Sequence, residues 1–243
     1  MSTTNSKAFL HVVLFALFLN AAIGTDPLFY ICSSTSGNFT ANGPYASNLD
    51  QLETYLYYQT PWFGFALGAV GSTPDQAYGL ANCRGDVNFT TCQTCVAEAK
   101  STISQLCPSN KGGIIWYDFC ELKYSNSDFF HKIDTQNEFF LLNVNNVSNP
   151  VSFNAKTNEL LSLLSEQASL SPRLFATGAA SFDATTTIYG LAQCTRDLSN
   201  PDCKTCLDEA ISQLPSCCSG KQGGRVVGGS CNVRYEIYPF VNS

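Results

Sequence analysis

Apolar positions along the chain follow two rhythms, and turn residues mark where one gives way to the other. Cys92, Cys95, Val96, Ala99, Ile103 and Leu106 recur at i, i+3, i+4, i+7, i+11 and i+14, which is one continuous helical face, with Pro108 just beyond it. Leu49, Leu52, Tyr55 and Leu56 form a second such face. Ser47 or Asn48 is its expected cap, after the turn at Asn42-Gly43-Pro44, and Pro61 its expected stop. Short runs rich in aromatic and branched residues predict strands at 28–32, 63–70, 78–83 and 114–117. Cys120, Leu122 and Tyr124 alternate with Glu121, Lys123 and Ser125, a half-buried closing strand.

The second half of the chain repeats the plan. Asn158 is the expected cap of a helix carrying Leu160, Leu161, Leu163, Leu164 and Ala168, and 174–180 reads as a strand. Asn200-Pro201 opens a helix whose buried face is Cys203, Cys206, Leu207, Ala210, Ile211 and Leu214, with Pro215 as its end. Strands at 223–227 and 231–238 close the chain. Residues 125–138 are polar and aperiodic, a linker in which Phe129 and Phe130 are read as docking one half on the other. Two helices and about five strands per half predict an α+β fold: two tandem repeats, each with its helices on one face of an antiparallel sheet.

The repetition is literal. Cys83, Cys92, Cys95, Cys107 and Cys120 reappear 111 residues later as Cys194, Cys203, Cys206, Cys218 and Cys231, without insertion or deletion. This is an internal duplication. The expected boundaries are a leader at 1–24, one repeat at 25–130, a linker at 131–138 and a second repeat at 139–243.

The leader has a short polar start with Lys7, an apolar stretch over 8–23, and small residues at Ala22 and Gly24, the pattern of a cleaved secretory signal. Its apolar core is short for a membrane span, and no later stretch is long and apolar enough, so no membrane anchor is expected. Taking Lys7 from the 13 basic residues leaves 12 against 19 acidic ones, a net charge of −7 with no basic run, which disfavours nucleic acid and anionic lipid as partners. Asn38, Asn88 and Asn146 head N-x-S/T sequons, candidate glycosylation sites on an exported chain.

All 12 cysteines follow the leader, and an even number at repeated spacing in an oxidising compartment reads as a disulfide framework. Zinc would need four ligands close together, and each repeat offers one Cys-x2-Cys pair with a single histidine, His131, left in the exported chain. No metal or other cofactor is therefore expected. A thioredoxin-like pair is the redox alternative, because Cys92 and Cys203 open helices. Six cysteines allow fifteen pairings, and spacing alone does not choose among them. Without a histidine in either repeat, Ser-His-Asp and Cys-His catalysis are excluded, and the glycines at 223, 224, 228 and 229 lack the lysine of a phosphate loop. No enzyme activity is expected.

The Cys-x8-Cys-x2-Cys spacing, Tyr189-Gly190-Leu191-Ala192-Gln193-Cys194 before it, and Gly223-Gly224-Arg225-Val226-Val227 with Cys231-Asn232-Val233-Arg234-Tyr235-Glu236 after it carry a resemblance. They resemble the plant cysteine-rich repeat secretory proteins, built of ginkbilobin-homologous, or stress-antifungal, domains. The same domain forms the ectodomains of cysteine-rich receptor-like kinases and plasmodesmata-located proteins. The resemblance implies two helices on a five-stranded sheet. It also implies the pairings Cys32–Cys107, Cys83–Cys92, Cys95–Cys120, Cys194–Cys203 and Cys206–Cys231. The counterpart of Cys32 is missing from the second repeat, and Cys217 stands beside Cys218 instead, so a vicinal Cys217–Cys218 bond is expected there.

The antifungal member of that family is similar to a lectin that holds mannose through an asparagine, an arginine and a glutamate. Its offsets fall on Asn143, Arg225 and Glu236 here, and on Ser33, Ile114 and Ser125 in the first repeat, which has lost the set. Such types suit a sugar, whose hydroxyls donate and accept at once. The plain alternative is a strand-to-strand ion pair between Arg225 and Glu236. The resemblance thus implies a secreted protein of the plant apoplast that binds a mannose-type glycan of a cell wall or a fungus. A module that associates with receptor-like kinase ectodomains and an apoplastic thiol redox sensor are the other readings.

Overall fold

The structure is a computed structural model that describes residues 26–241; the expected leader at 1–24 lies outside them. In the first repeat, strand β1 (Phe29–Cys32) leads to helix α1 (Pro44–Phe63) and the hairpin β2 (Phe65–Val70) and β3 (Ala77–Cys83). Helix α2 (Phe89–Leu106) and the hairpin β4 (Gly113–Trp116) and β5 (Cys120–Ser125) complete it. The second repeat runs β6 (Glu138–Leu142), α3 (Pro150–Leu170), β7 (Phe175–Ser181), β8 (Thr187–Cys194), α4 (Asn200–Cys218), β9 (Gly224–Gly228) and β10 (Cys231–Glu236). The strand orders are β1-β4-β5-β3-β2 and β6-β9-β10-β8-β7, antiparallel throughout. Strand β6 had no counterpart in the hydrophobic pattern.

Helix ends differ from the sequence reading for local reasons. Helix α1 starts at Pro44 behind Gly43, because proline's fixed φ and missing N–H suit a first turn. Ser47 and Asn48 are inside it, and the Asn48 amide donates to the Asp75 carbonyl at 2.8 Å. Pro61 does not stop α1. It removes one hydrogen bond in the last turn, and the helix ends at Gly64, whose φ of 74° lets its N–H reach the Thr60 carbonyl. Asn88 caps α2 through the N–H of Thr91, so the helix begins three residues before Cys92. Asn149, not Asn158, caps α3, with Pro150 following. Ser199 caps α4, which leaves Asn200 and Pro201 inside its first turn, and α4 runs past Pro215 to Cys218.

Both helices of a repeat cover one face of its sheet. Leu52, Leu56, Val96, Ile103, Ile115 and Leu122 are buried in the first core; Phe153, Leu161, Leu164, Leu207 and Val233 are buried in the second. Each such side chain contributes about 1.5–3 kcal/mol by leaving water. The disulfides staple helices to strands: Cys32–Cys107, Cys83–Cys92 and Cys95–Cys120, then Cys194–Cys203 and Cys206–Cys231, with Cys217–Cys218 closing on itself at the end of α4.

The helix-free faces meet each other. Ile114, Trp116, Phe139 and Val227 form a small buried cluster across the boundary, and Trp116 Nε1 donates to the Gly228 carbonyl at 3.2 Å. Asn82 and Gln193 occupy equivalent positions in the duplication and act reciprocally. Asn82 Nδ2 donates to the Cys194 carbonyl at 3.4 Å, and Gln193 Nε2 to the Cys83 carbonyl at 2.8 Å. Phe129 and Phe130, expected to dock one half on the other, make their ring contacts within the first repeat. The Phe130 ring packs on Tyr78, and the Lys123 ammonium lies over Phe129. Neighbouring linker groups make the connection, with His131 N–H to Asp197 at 3.0 Å and Asp134 N–H to the Ser230 hydroxyl at 2.9 Å.

Candidate functional site

Leu142 stands opposite Gly224 as Cys32 stands opposite Gly113. The next residues correspond as well: Asn143 N–H donates to the Gly223 carbonyl, and Ser33 N–H to the Gly112 carbonyl, both at 2.9 Å. Asn143, Gly223 and Glu236 therefore form one row across β6, β9 and β10, because Tyr235 pairs with Gly224 one residue earlier. Arg225 is in the next row on the same face, between Leu141 and Arg234. Gly223 leaves the space the Glu236 carboxylate needs, since a β-carbon there would run into it.

These three positions share a face, but Arg225 and Glu236 bond elsewhere. Arg225 Nη1 pairs with Asp118 Oδ1 at 2.9 Å, reaching from the second repeat to the β4–β5 turn of the first. Glu236 Oε1 accepts from Arg234 at 3.2 and 3.3 Å, and Arg234 Nη1 lies 3.5 Å from Asp118. Glu236, Arg234, Asp118 and Arg225 thus make one chain of alternating charge. The direct Arg225–Glu236 pair does not form, because the register puts Arg234 opposite Arg225. Asn143 accepts the N–H of Asn145 at 3.0 Å.

Arg225 and Glu236 are 7 and 8 % exposed, whereas the Asp118 side chain is 51 % exposed. Burial pulls the Arg225 guanidinium down to about 10, against the opposing effect of Asp118. Two polar atoms of the set are left buried without a partner: Arg225 Nε, a donor, and Glu236 Oε2, an acceptor. Asn232 Oδ1, two residues before Arg234 on β10, is a third. Leaving such a group unsatisfied costs about 1–3 kcal/mol.

Sequence reasoning missed Asp118 and Arg234. Arg234 was findable, because strand alternation puts it on the face of Glu236. Asp118 was not, since only the packing of one repeat on the other brings it there. In the first repeat, Ser33, Ile114 and Ser125 border a cleft of about 530 Å³ that the linker walls on its far side. The sequon residues Asn38, Asn88 and Asn146 are all exposed. All 12 cysteines are bonded, which leaves thiol chemistry only through a disulfide that opens.

Residues 31–127 and 142–238 each match the salt stress response/antifungal family. The chain is 53 % identical to an antimicrobial ginkbilobin-2-like protein of Castanea crenata, over 95 % of either chain. It is 50 % identical to cysteine-rich repeat secretory protein 38 of Arabidopsis thaliana, over 89 % of this chain and 86 % of that one. Among solved structures it is similar to the tandem DUF26 ectodomain of the Arabidopsis thaliana cysteine-rich receptor-like protein PDLP8. That likeness has a TM-score of 0.77 at 26 % identity and covers 88 % of this chain and 98 % of that one. The PDLP5 ectodomain is similar at a TM-score of 0.73 and 26 % identity, over 88 and 100 %.

Proposed function

This chain belongs to the salt stress response/antifungal family, in two tandem copies, and from that premise we propose that it is a secreted, non-enzymatic defence protein of the apoplast that binds mannose-type glycans through its second repeat. The observation that carries the reading is the pair of orphaned atoms. Arg225 Nε and Glu236 Oε2 are a buried donor and a buried acceptor on neighbouring strands. A sugar hydroxyl accepts from the first, a hydroxyl donates to the second, and the Asn143 amide borders the same row. Asp118 is the exposed group that yields when the sugar reaches Arg225. The name of the Castanea relative, an antimicrobial protein, fits a glycan on a microbial surface. A glycan array probed with the secreted protein tests this: mannose-terminated glycans should be retained, and Glu236→Gln should remove them.

A second reading, association with receptor ectodomains, is favoured by the likeness to two receptor-like ectodomains that extends over nearly their whole length. A protein that leaves every glycan on the array unbound but co-purifies with such an ectodomain supports this reading instead.

A further inference from the structure

A groove of about 810 Å³ lies where the end of α1 and the start of α2 meet the second repeat. It shares none of the residues Asn143, Arg225 and Glu236 and goes beyond the reading built on them. Trp62 and Phe63, in the last turn of α1, are 70 and 69 % exposed, the latter two residues before the edge strand β2. Phe89 meets Trp62 edge-on, with ring centroids 4.7 Å apart. Neighbouring aromatic rings left mostly in water point to a contact site.

Two arginines of the second repeat reach into the same groove. Arg196 Nη1 donates to the Phe63 carbonyl at 2.6 Å, which caps the C-terminal end of α1. Arg173 Nη1 donates to the Gly85 carbonyl at 3.2 Å. One N–H of each guanidinium is thereby fixed. Arg196 Nε is buried without a partner. Among the described residues neither arginine has a carboxylate within ion-pair distance, although the chain carries an excess of acid. Arg84, the third arginine at the groove, is already matched by Asp86. Among the described residues no Asp or Glu lines the groove. Burial first, and then the charge of Arg173, lowers the proton affinity of Arg196, so an anion between the two would relieve a repulsion.

We propose that this groove binds a carboxylated sugar, an oligouronate, with pyranose faces on Trp62 and Phe63 and carboxylates on Arg196 and Arg173. Arg196 is fixed beside Phe63, and Arg173 beside the loop that leads to Phe89, so exposed rings and unpaired cations line the same groove. A chain of uronic acids offers rings and carboxylates together. The guanidinium fork matches a carboxylate in two parallel hydrogen bonds. The groove is large enough for a ligand of a few rings.

Calorimetric titration of the full secreted protein with sodium trigalacturonate tests the proposal, with a neutral mannotriose and an acidic hexapeptide as comparison probes. The uronate should bind with a Kd below about 1 mM and weaken as salt rises. Trp62→Ala and Arg173→Gln should each weaken it about tenfold, in line with a stacking or charge-assisted contact. Trp62 is mostly exposed, so an unchanged melting temperature of Trp62→Ala separates loss of the site from loss of the fold. No uronate binding at about 10 mM, or binding indifferent to both substitutions, would overturn the proposal. Equal binding of the acidic peptide through the same residues would overturn it as well, and would make the groove a peptide site.

Discussion

Arg225 of the second repeat and Asp118 of the first are ion-paired at 2.9 Å across the boundary between them. The arginine is buried and the aspartate is half exposed, so the pair is anchored on one side and free to move on the other. Asp118 therefore competes with any ligand for the Arg225 guanidinium. Asp118→Ala should raise mannose affinity several-fold while lowering stability by about 1–3 kcal/mol, because it leaves the buried Arg225 guanidinium without its partner. Parallel sugar titration and thermal melts check both signs. A drop in affinity would make Asp118 a sugar ligand instead of a competitor.

Arg225 also holds the repeats together, so its truncation is not a clean test of binding. Arg225→Ala should destabilise the protein by about 1–3 kcal/mol, because it removes a buried side chain and its charge-assisted bond across the boundary. Glu236→Gln keeps the volume and an acceptor for Arg234, so it should destabilise less than Arg225→Ala. Denaturant curves on the two variants distinguish these outcomes.

Trp116 should set the cooperativity between the repeats. Its ring is buried against Phe139 and Val227, and its Nε1 bonds the Gly228 carbonyl. Trp116→Ala should cost about 3–5 kcal/mol and split one calorimetric transition into two, since each repeat keeps its own core. A single transition shifted as a whole would show that the boundary depends on other contacts.

Stability should fall as the solution turns from acid to neutral. Burial raises the carboxyls of Glu53 and Glu121 from 4.5 to about 7. An acid whose folded-state value is raised stabilises the fold fully below its unfolded value, and that contribution is lost as pH rises through the folded one. The loss should therefore lie between about pH 4.5 and pH 7. Melts across that window should flatten in Glu53→Gln and Glu121→Gln.

Mild reductant should open Cys217–Cys218 before the other five bonds. Adjacency holds the Cα atoms at 3.8 Å, below the usual span of about 4.4–6.8 Å. Cys217 is also only half buried. Alkylation and peptide mapping after graded reduction report the order. A covalent dimer that disappears in Cys217→Ser would show that these cysteines bond between molecules.

The duplication, the α+β class and the two-helix, five-strand plan were legible because periodicity, cysteine register and turn residues all point the same way. Two helix starts were misread where an N-terminal proline marked the first turn: Pro44 and Pro150 open helices, and the expected caps Ser47, Asn48 and Asn158 lie inside them. The start at Asn200-Pro201 was read one residue late, since Ser199 is the cap. Pro61 and Pro215 were taken as stops, but a proline near a helix end costs one hydrogen bond that packing offsets. The positions of Asn143, Arg225 and Glu236 on one face follow from strand register, which offsets in the sequence anticipate. Their partners do not follow, because Asp118 arrives from a turn 107 residues away in sequence.

The central claim is sugar binding at Arg225 and Glu236, and NMR titration of the isotopically labelled protein with mannose tests it most directly. The account predicts saturable shifts at millimolar sugar, concentrated in Asn143, Gly223, Arg225, Arg234 and Glu236 and absent from Glu236→Gln. A spectrum unchanged at about 50 mM mannose, or shifts that appear elsewhere and survive Glu236→Gln, would contradict it.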